Sequence, residues 1–112
     1  MNDDETAFSD ELRKVLDNRT RIEIEMYLTT NGAEKTAKAI AEELEKIEQR
    51  LSIQPESYPL EYLLMGKKRK YRYCTLKKNF KLIYFYRPRL NQVVIVTVWD
   101  QRMNPDTLKK SI

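Results

Sequence analysis

A chain of 112 residues suffices for one domain with a single modest core, and it contains no apolar run of membrane-spanning length. The lone Cys74 and the lack of histidine exclude an internal disulfide and a zinc site of the usual ligand set, and no cofactor is expected. The net charge of +4 conceals a division: residues 1–66 carry 8 basic and 15 acidic side chains, net −7, whereas residues 67–112 carry 13 and 2, net +11. A half this cationic calls for an anionic partner, either nucleic acid or an acidic protein segment, and the competing reading is a solvated face with no partner.

The acidic start Met1-Asn2-Asp3-Asp4-Glu5 is unlike a signal peptide, so the cytoplasm is the expected compartment, and residues 1–11 are expected to be loosely held. Phe8, Leu12, Val15 and Leu16 fit a helical stripe, yet Arg13-Lys14-Val15-Leu16 before Asp17-Asn18 also reads as a short strand leading into a helix N-cap. The strand reading is preferred. From Arg19 to Thr30, Ile22, Ile24, Met26, Tyr27 and Leu28 predict a first helix that stops near Asn31-Gly32. Ala33, Ala37, Ile40, Leu44, Ile47 and Leu51 then recur at spacings of four and three, which predicts a second helix with one apolar stripe. Such a stripe is core or, in part, an oligomer seam. The short link makes the two helices an antiparallel hairpin, and Pro55 and Pro59 carry an irregular crossing into Leu60-Glu61-Tyr62-Leu63-Leu64-Met65.

Three strands follow. The basic ladder from Lys67 to Leu76 predicts the first, with Lys70 and Arg72 on one face and Arg69, Tyr71, Tyr73 and Thr75 on the other. Phe80 to Tyr86 predicts the second after a turn at Lys77-Lys78-Asn79. Val93 to Trp99 has β-branched residues on both faces and is expected to be the central, doubly buried strand. Lys67, Lys68, Arg69, Lys70, Arg72, Lys77, Lys78 and Arg87 are the candidate contacts for nucleic acid or an acidic protein, although lysines also protect an exposed strand edge. Cys74 reads as a small strand residue, with a reactive thiol as the alternative. The fold class is therefore α+β, a helical hairpin packed on a twisted antiparallel sheet of three to four strands, in one domain spanning residues 1–112.

This order of elements resembles a family. A short strand, a helical hairpin, a proline-containing crossing, three antiparallel strands and the ending Trp99-Asp100-Gln101-Arg102-Met103-Asn104-Pro105 are similar to the RelE/ParE superfamily, bacterial toxins and plasmid-stabilisation proteins of type II toxin–antitoxin pairs. Tyr27-Leu28, Phe80-Lys81-Leu82-Ile83-Tyr84 and the Asp-x-Arg-x-Asn-Pro ending carry the likeness, which extends from about Arg13 to Lys110. It implies a toxin with a short C-terminal helical turn, neutralised by a cognate antitoxin that lays an acidic segment across sheet and hairpin. A homodimer and a heterotetramer with the antitoxin are both compatible with it. Two modes of action exist within the resemblance: cleavage of mRNA on the ribosome, and inhibition of DNA gyrase without nuclease chemistry.

The resemblance also points to residues. Arg72 falls where RelE-like enzymes place a second-strand cation, Lys81 where they usually have arginine, and Arg102 where a phosphate-binding arginine follows the last strand. Asp100 stands near the place of the missing histidine, as a base or as the residue that orders the turn into Asn104-Pro105, and Cys74 replaces a lysine. Tyr73 and Tyr84 are candidates for a general acid or for packing. Lysine at 81 keeps charge but loses bidentate phosphate geometry. These departures favour gyrase inhibition over a ribosome-dependent endoribonuclease resting on Arg72, Lys81, Arg102 and Asp100; a non-toxic RNA- or partner-binding module is the third reading.

Overall fold

The computed structural model describes residues 18–30, 37–77 and 79–112. Helix α1 (Asn18–Thr30) directs Ile24 and Leu28, one turn apart, into the interior, and leaves Ile22 and Met26 exposed. Helix α2 (Ala37–Ile53) buries Ile40, Leu44, Ile47 and Leu51, the regular part of the stripe read from the sequence. Arg21 and Glu48 form an ion pair that ties the two helices together. The expected strand at 12–16, the first eleven residues, the link at Asn31-Gly32 and Ala33 lie outside the described residues.

After α2, Arg50 holds the crossing: its guanidinium donates to the Ser57 hydroxyl at 2.9 Å and stacks on Tyr58 at 4.1 Å. A short 3₁₀ turn, Tyr62–Leu64, follows, capped by the Glu61 carboxylate, which accepts from the Leu63 N–H. Gly66 then sits at φ +91°, a conformation that L side chains rarely adopt, and the chain turns through residues 67–70.

Strand β1 is Arg72–Leu76, not the longer run from Lys67 expected above. Residues 67–69 of the basic ladder are exposed bends and Lys70 is exposed without regular structure, while the edge of β1 is taken by the crossing segment. Glu61 N–H donates to the Tyr71 carbonyl at 2.8 Å, and Tyr73 N–H to the Pro59 carbonyl at 3.1 Å. Tyr71 and Tyr73 lie with the opposite cluster as expected, and only the place of Lys70 changes. Arg72 shares its face with Cys74 and Leu76, and Lys70 lies before the strand.

Strand β2 (Phe80–Arg87) pairs antiparallel with β1 and with β3 (Gln92–Asp100), giving the order β1-β2-β3. Among the described residues the central, doubly buried strand is therefore β2 rather than β3. Leu82, Ile83, Tyr84 and Phe85 are all buried, whereas most of β3 is half-buried and, among the described residues, forms an edge. Aliphatic density on both faces of a segment does not determine its place in a sheet; the meander does, since its middle strand has a neighbour on each side. A bulge in β3 at the Ile83/Tyr84 level puts two residues opposite one.

One face of the sheet packs on the hairpin: Cys74, Leu76, Phe80, Leu82, Tyr84 and Val93 meet the buried faces of α1 and α2. Tyr27 stands edge-on to Phe80 at 5.8 Å, and Tyr58 to Tyr84 at 6.2 Å. The opposite face carries a smaller cluster of Leu64, Ile83, Trp99 and Leu108. Leu108 comes from the C-terminal helix α3 (Pro105–Ser111), which starts at Pro105 behind Asn104, whose side chain accepts from the Asp106 N–H at 3.0 Å.

Candidate functional site

The four residues singled out for chemistry are not gathered into one site. In the strand register Arg72 stands beside Tyr84, and Lys81 beside Thr75, which places Arg72 on the hairpin face and Lys81 on the opposite one. Arg102 lies past the end of β3, over the ring of Phe80 at 5.5 Å. Phe80 pairs with Leu76, four residues along β1 from Arg72, so about 13 Å of strand separates the two levels.

Each of these cations already has a partner. Arg72, with its side chain 17% exposed, donates to the Tyr58 carbonyl at 2.7 Å and lies 3.8 Å from Glu56. Lys81 is 2.6 Å from the Glu61 carboxylate, and its ammonium sits 4.2 Å above the Tyr73 ring. The side chain of Glu61 is 0% exposed and that of Lys81 12%, so this is an interior ion pair joining the central strand to the crossing segment. Sequence reasoning passed over Glu61. The available signal was a single carboxylate in the otherwise apolar Leu60-Glu61-Tyr62-Leu63-Leu64-Met65. Arg102 grips Asp100 in a fork, Nε to one oxygen at 2.9 Å and a terminal nitrogen to the other at 2.8 Å, while its own N–H also donates to that carboxylate. These hydrogen bonds hold the Asp100 carboxyl below its ordinary range and Arg102 above its own.

Tyr84, a candidate for proton transfer, is placed for packing. Tyr84 is fully buried and donates its hydroxyl to the Pro55 carbonyl at 2.7 Å, and burial drives its pKa well up. Burial likewise pushes the Cys74 thiol up to about 12, which leaves it a protonated, small apolar side chain at neutral pH.

The candidate binding cations divide between the two ends of the β1–β2 ladder. Lys77, at the turn, has φ +52° and donates its N–H to Glu43 on α2; Lys78 lies outside the described residues. At the other end, Lys68, Arg69, Lys70, Arg72 and Arg87 surround a cleft of about 730 Å³. Arg89, Phe85 and Leu90 belong to this cleft too, and sequence reasoning missed them. The second 3₁₀ turn, Pro88–Leu90, folds them back beside the 68–70 segment, and Arg-Pro-Arg at 87–89 was the signal present. Lys67 stays outside the cleft, and its ammonium donates to the Lys109 carbonyl at the end of α3 at 2.9 Å.

Among the described residues no cluster of metal-ligating side chains occurs, and no helix is long and apolar enough to cross a membrane. A helical hairpin on an antiparallel meander with a short C-terminal helix is the α+β architecture that the likeness to the RelE/ParE toxins implies. Residues 8–105 match the family described as the ParE toxin of the type II toxin–antitoxin system parDE, and the chain belongs to that family. It is thus the toxin component of a toxin–antitoxin pair, with a cognate antitoxin as its partner. No curated protein and no solved structure matches the chain.

Proposed function

We propose that this toxin arrests growth in the cytoplasm by binding DNA gyrase, and not by cutting RNA. The observation that carries the reading is the dispersal and internal pairing of the cations. Cleavage through a ribose 2′-OH needs a base, an acid and free cations converging on one phosphate. Here Arg72 and Lys81 lie on opposite faces of the sheet, and Arg72, Lys81 and Arg102 are engaged by a backbone carbonyl, Glu61 and Asp100 respectively.

The test is a pair of assays on the purified toxin. Inhibition of gyrase supercoiling, reversed by the antitoxin, is expected together with intact message in primer extension on translating ribosomes. Ribosome-dependent cleavage that disappears in Arg102→Ala, the most exposed of the three cations, would overturn the reading in favour of the endoribonuclease.

A further inference from the structure

We propose that the cleft between the 68–70 segment and the 87–90 turn is a binding site for single-stranded nucleic acid, with phosphates on its rim and a base against its floor. Lys68, Arg69, Lys70, Arg87 and Arg89 line the cleft and are taken as its rim, and Arg72 and Glu56 line it too. Among the described residues none of those five rim cations is paired with a carboxylate, in contrast to Arg72, Lys81 and Arg102. Five cations without a carboxylate partner among the described residues therefore surround a concavity, where field lines concentrate.

The cleft is also shaped for more than charge. Phe85, Pro88 and Leu90 line it. Phe85 carries the Arg69 guanidinium at 4.4 Å and that of Arg87 at 5.4 Å from its centroid, with Tyr71 edge-on at 5.7 Å. Guanidinium groups seated on an aromatic ring give an unpaired base a stacking surface that a duplex does not reach. The segment bearing Lys68, Arg69 and Lys70 is fixed at its start by the bond from Lys67 to the Lys109 carbonyl. An acidic peptide is the weaker fit. The main-chain route by which extended peptides add to a sheet is closed at β1, whose edge is already paired with Pro59 and Glu61. This site stands independently of which macromolecule the toxin arrests.

The experiment measures fluorescence anisotropy of labelled 20-nucleotide dT and rU strands, a 20-base-pair duplex and a 20-residue polyglutamate peptide, with the full chain. Both single strands are expected to bind about tenfold or more tightly than the duplex, as stacking of a base predicts. With about four phosphate contacts, affinity should fall about 50-fold between 50 and 200 mM salt. Lys70→Ala with Arg89→Ala, both on exposed positions, should lower the salt slope by about 1.4 without changing the melting temperature. Arg69→Lys should weaken binding at an unchanged slope, because charge is kept and the planar stack is lost. A preference for rU over dT would add a 2′-OH contact and uphold the site. No binding at 50 mM salt, equal affinity for duplex, indifference to the double variant, or polyglutamate bound as tightly as the strands would each overturn it. Strand binding by a protein that leaves gyrase untouched would uphold the cleft and sink the gyrase reading, so the two failures are distinguishable.

Discussion

The Lys81–Glu61 pair offers the sharpest perturbation, because one substitution separates a strut from a phosphate contact. Lys81→Ala removes the ammonium 2.6 Å from a carboxylate whose side chain is 0% exposed, and leaves Glu61 with the Leu63 N–H as its remaining described donor. Losing one partner of a buried ion pair costs about 3–5 kcal/mol. That is a large share of the roughly 5–15 kcal/mol that holds a domain together. For a chain of this length the loss corresponds to a fall in melting temperature of about 12–20 °C, readable by circular dichroism or calorimetry. The double variant Lys81→Met with Glu61→Leu removes both charges, and apolar replacement of a buried pair is close to neutral or stabilising. It should recover most of the melting temperature and, with it, growth arrest on induction. Two results would refute the reasoning. An unchanged melting temperature in Lys81→Ala would mean the pair is not an interior strut. A double variant with native stability and no toxicity would mean that the charge of Lys81 acts on the target.

Leu44→Asp should abolish cooperative unfolding in a thermal melt, since Leu44 is 0% exposed in the hairpin core and an unpaired charge there is not tolerated; a soluble variant melting at the native temperature would contradict the assigned helix face. Tyr84→Phe should cost about 1 kcal/mol in denaturant titration by orphaning the Pro55 carbonyl, and should leave growth arrest intact, whereas a general acid would be lost with its hydroxyl. Cys74, buried with its thiol pushed up to about 12, should resist a thiol-specific reagent at pH 8 until the protein is unfolded; rapid labelling of the native toxin would show a reactive cysteine instead. Asp100 has its carboxyl pKa lowered by Arg102, so its contribution to stability is present above the carboxyl's unfolded value and is lost as pH falls through the lower folded one. Wild type should therefore exceed Asp100→Asn in stability near neutrality, and the gap should close in acid; a gap independent of pH would assign the difference to packing.

Much of the architecture was legible because it is locally encoded. The four-and-three spacing of Ile40, Leu44, Ile47 and Leu51 permits one buried face whatever the helix meets, whereas the short C-terminal helix was expected only from the family resemblance. The runs Phe80 to Tyr86 and Val93 to Trp99, separated by a Pro- and Asn-bearing turn, imply antiparallel neighbours for the same reason. The sequence also located the cationic half, since charge simply adds along the chain.

The tertiary structure decided what depends on pairing. Register alone sets Arg72 on the hairpin face and Lys81 on the other, and a shift of one residue in that register would have exchanged the faces. Among the described residues the middle of the meander, not hydropathy, made β2 the doubly covered strand. Lys81 reads as a surface cation until the crossing segment brings Glu61, twenty residues away, against it. The cleft likewise exists only because Gly66 and the Pro88–Leu90 turn fold two distant basic segments toward the ring of Phe85. Contacts of this kind are set by loop closure and burial over the whole domain, and no local window of sequence contains them.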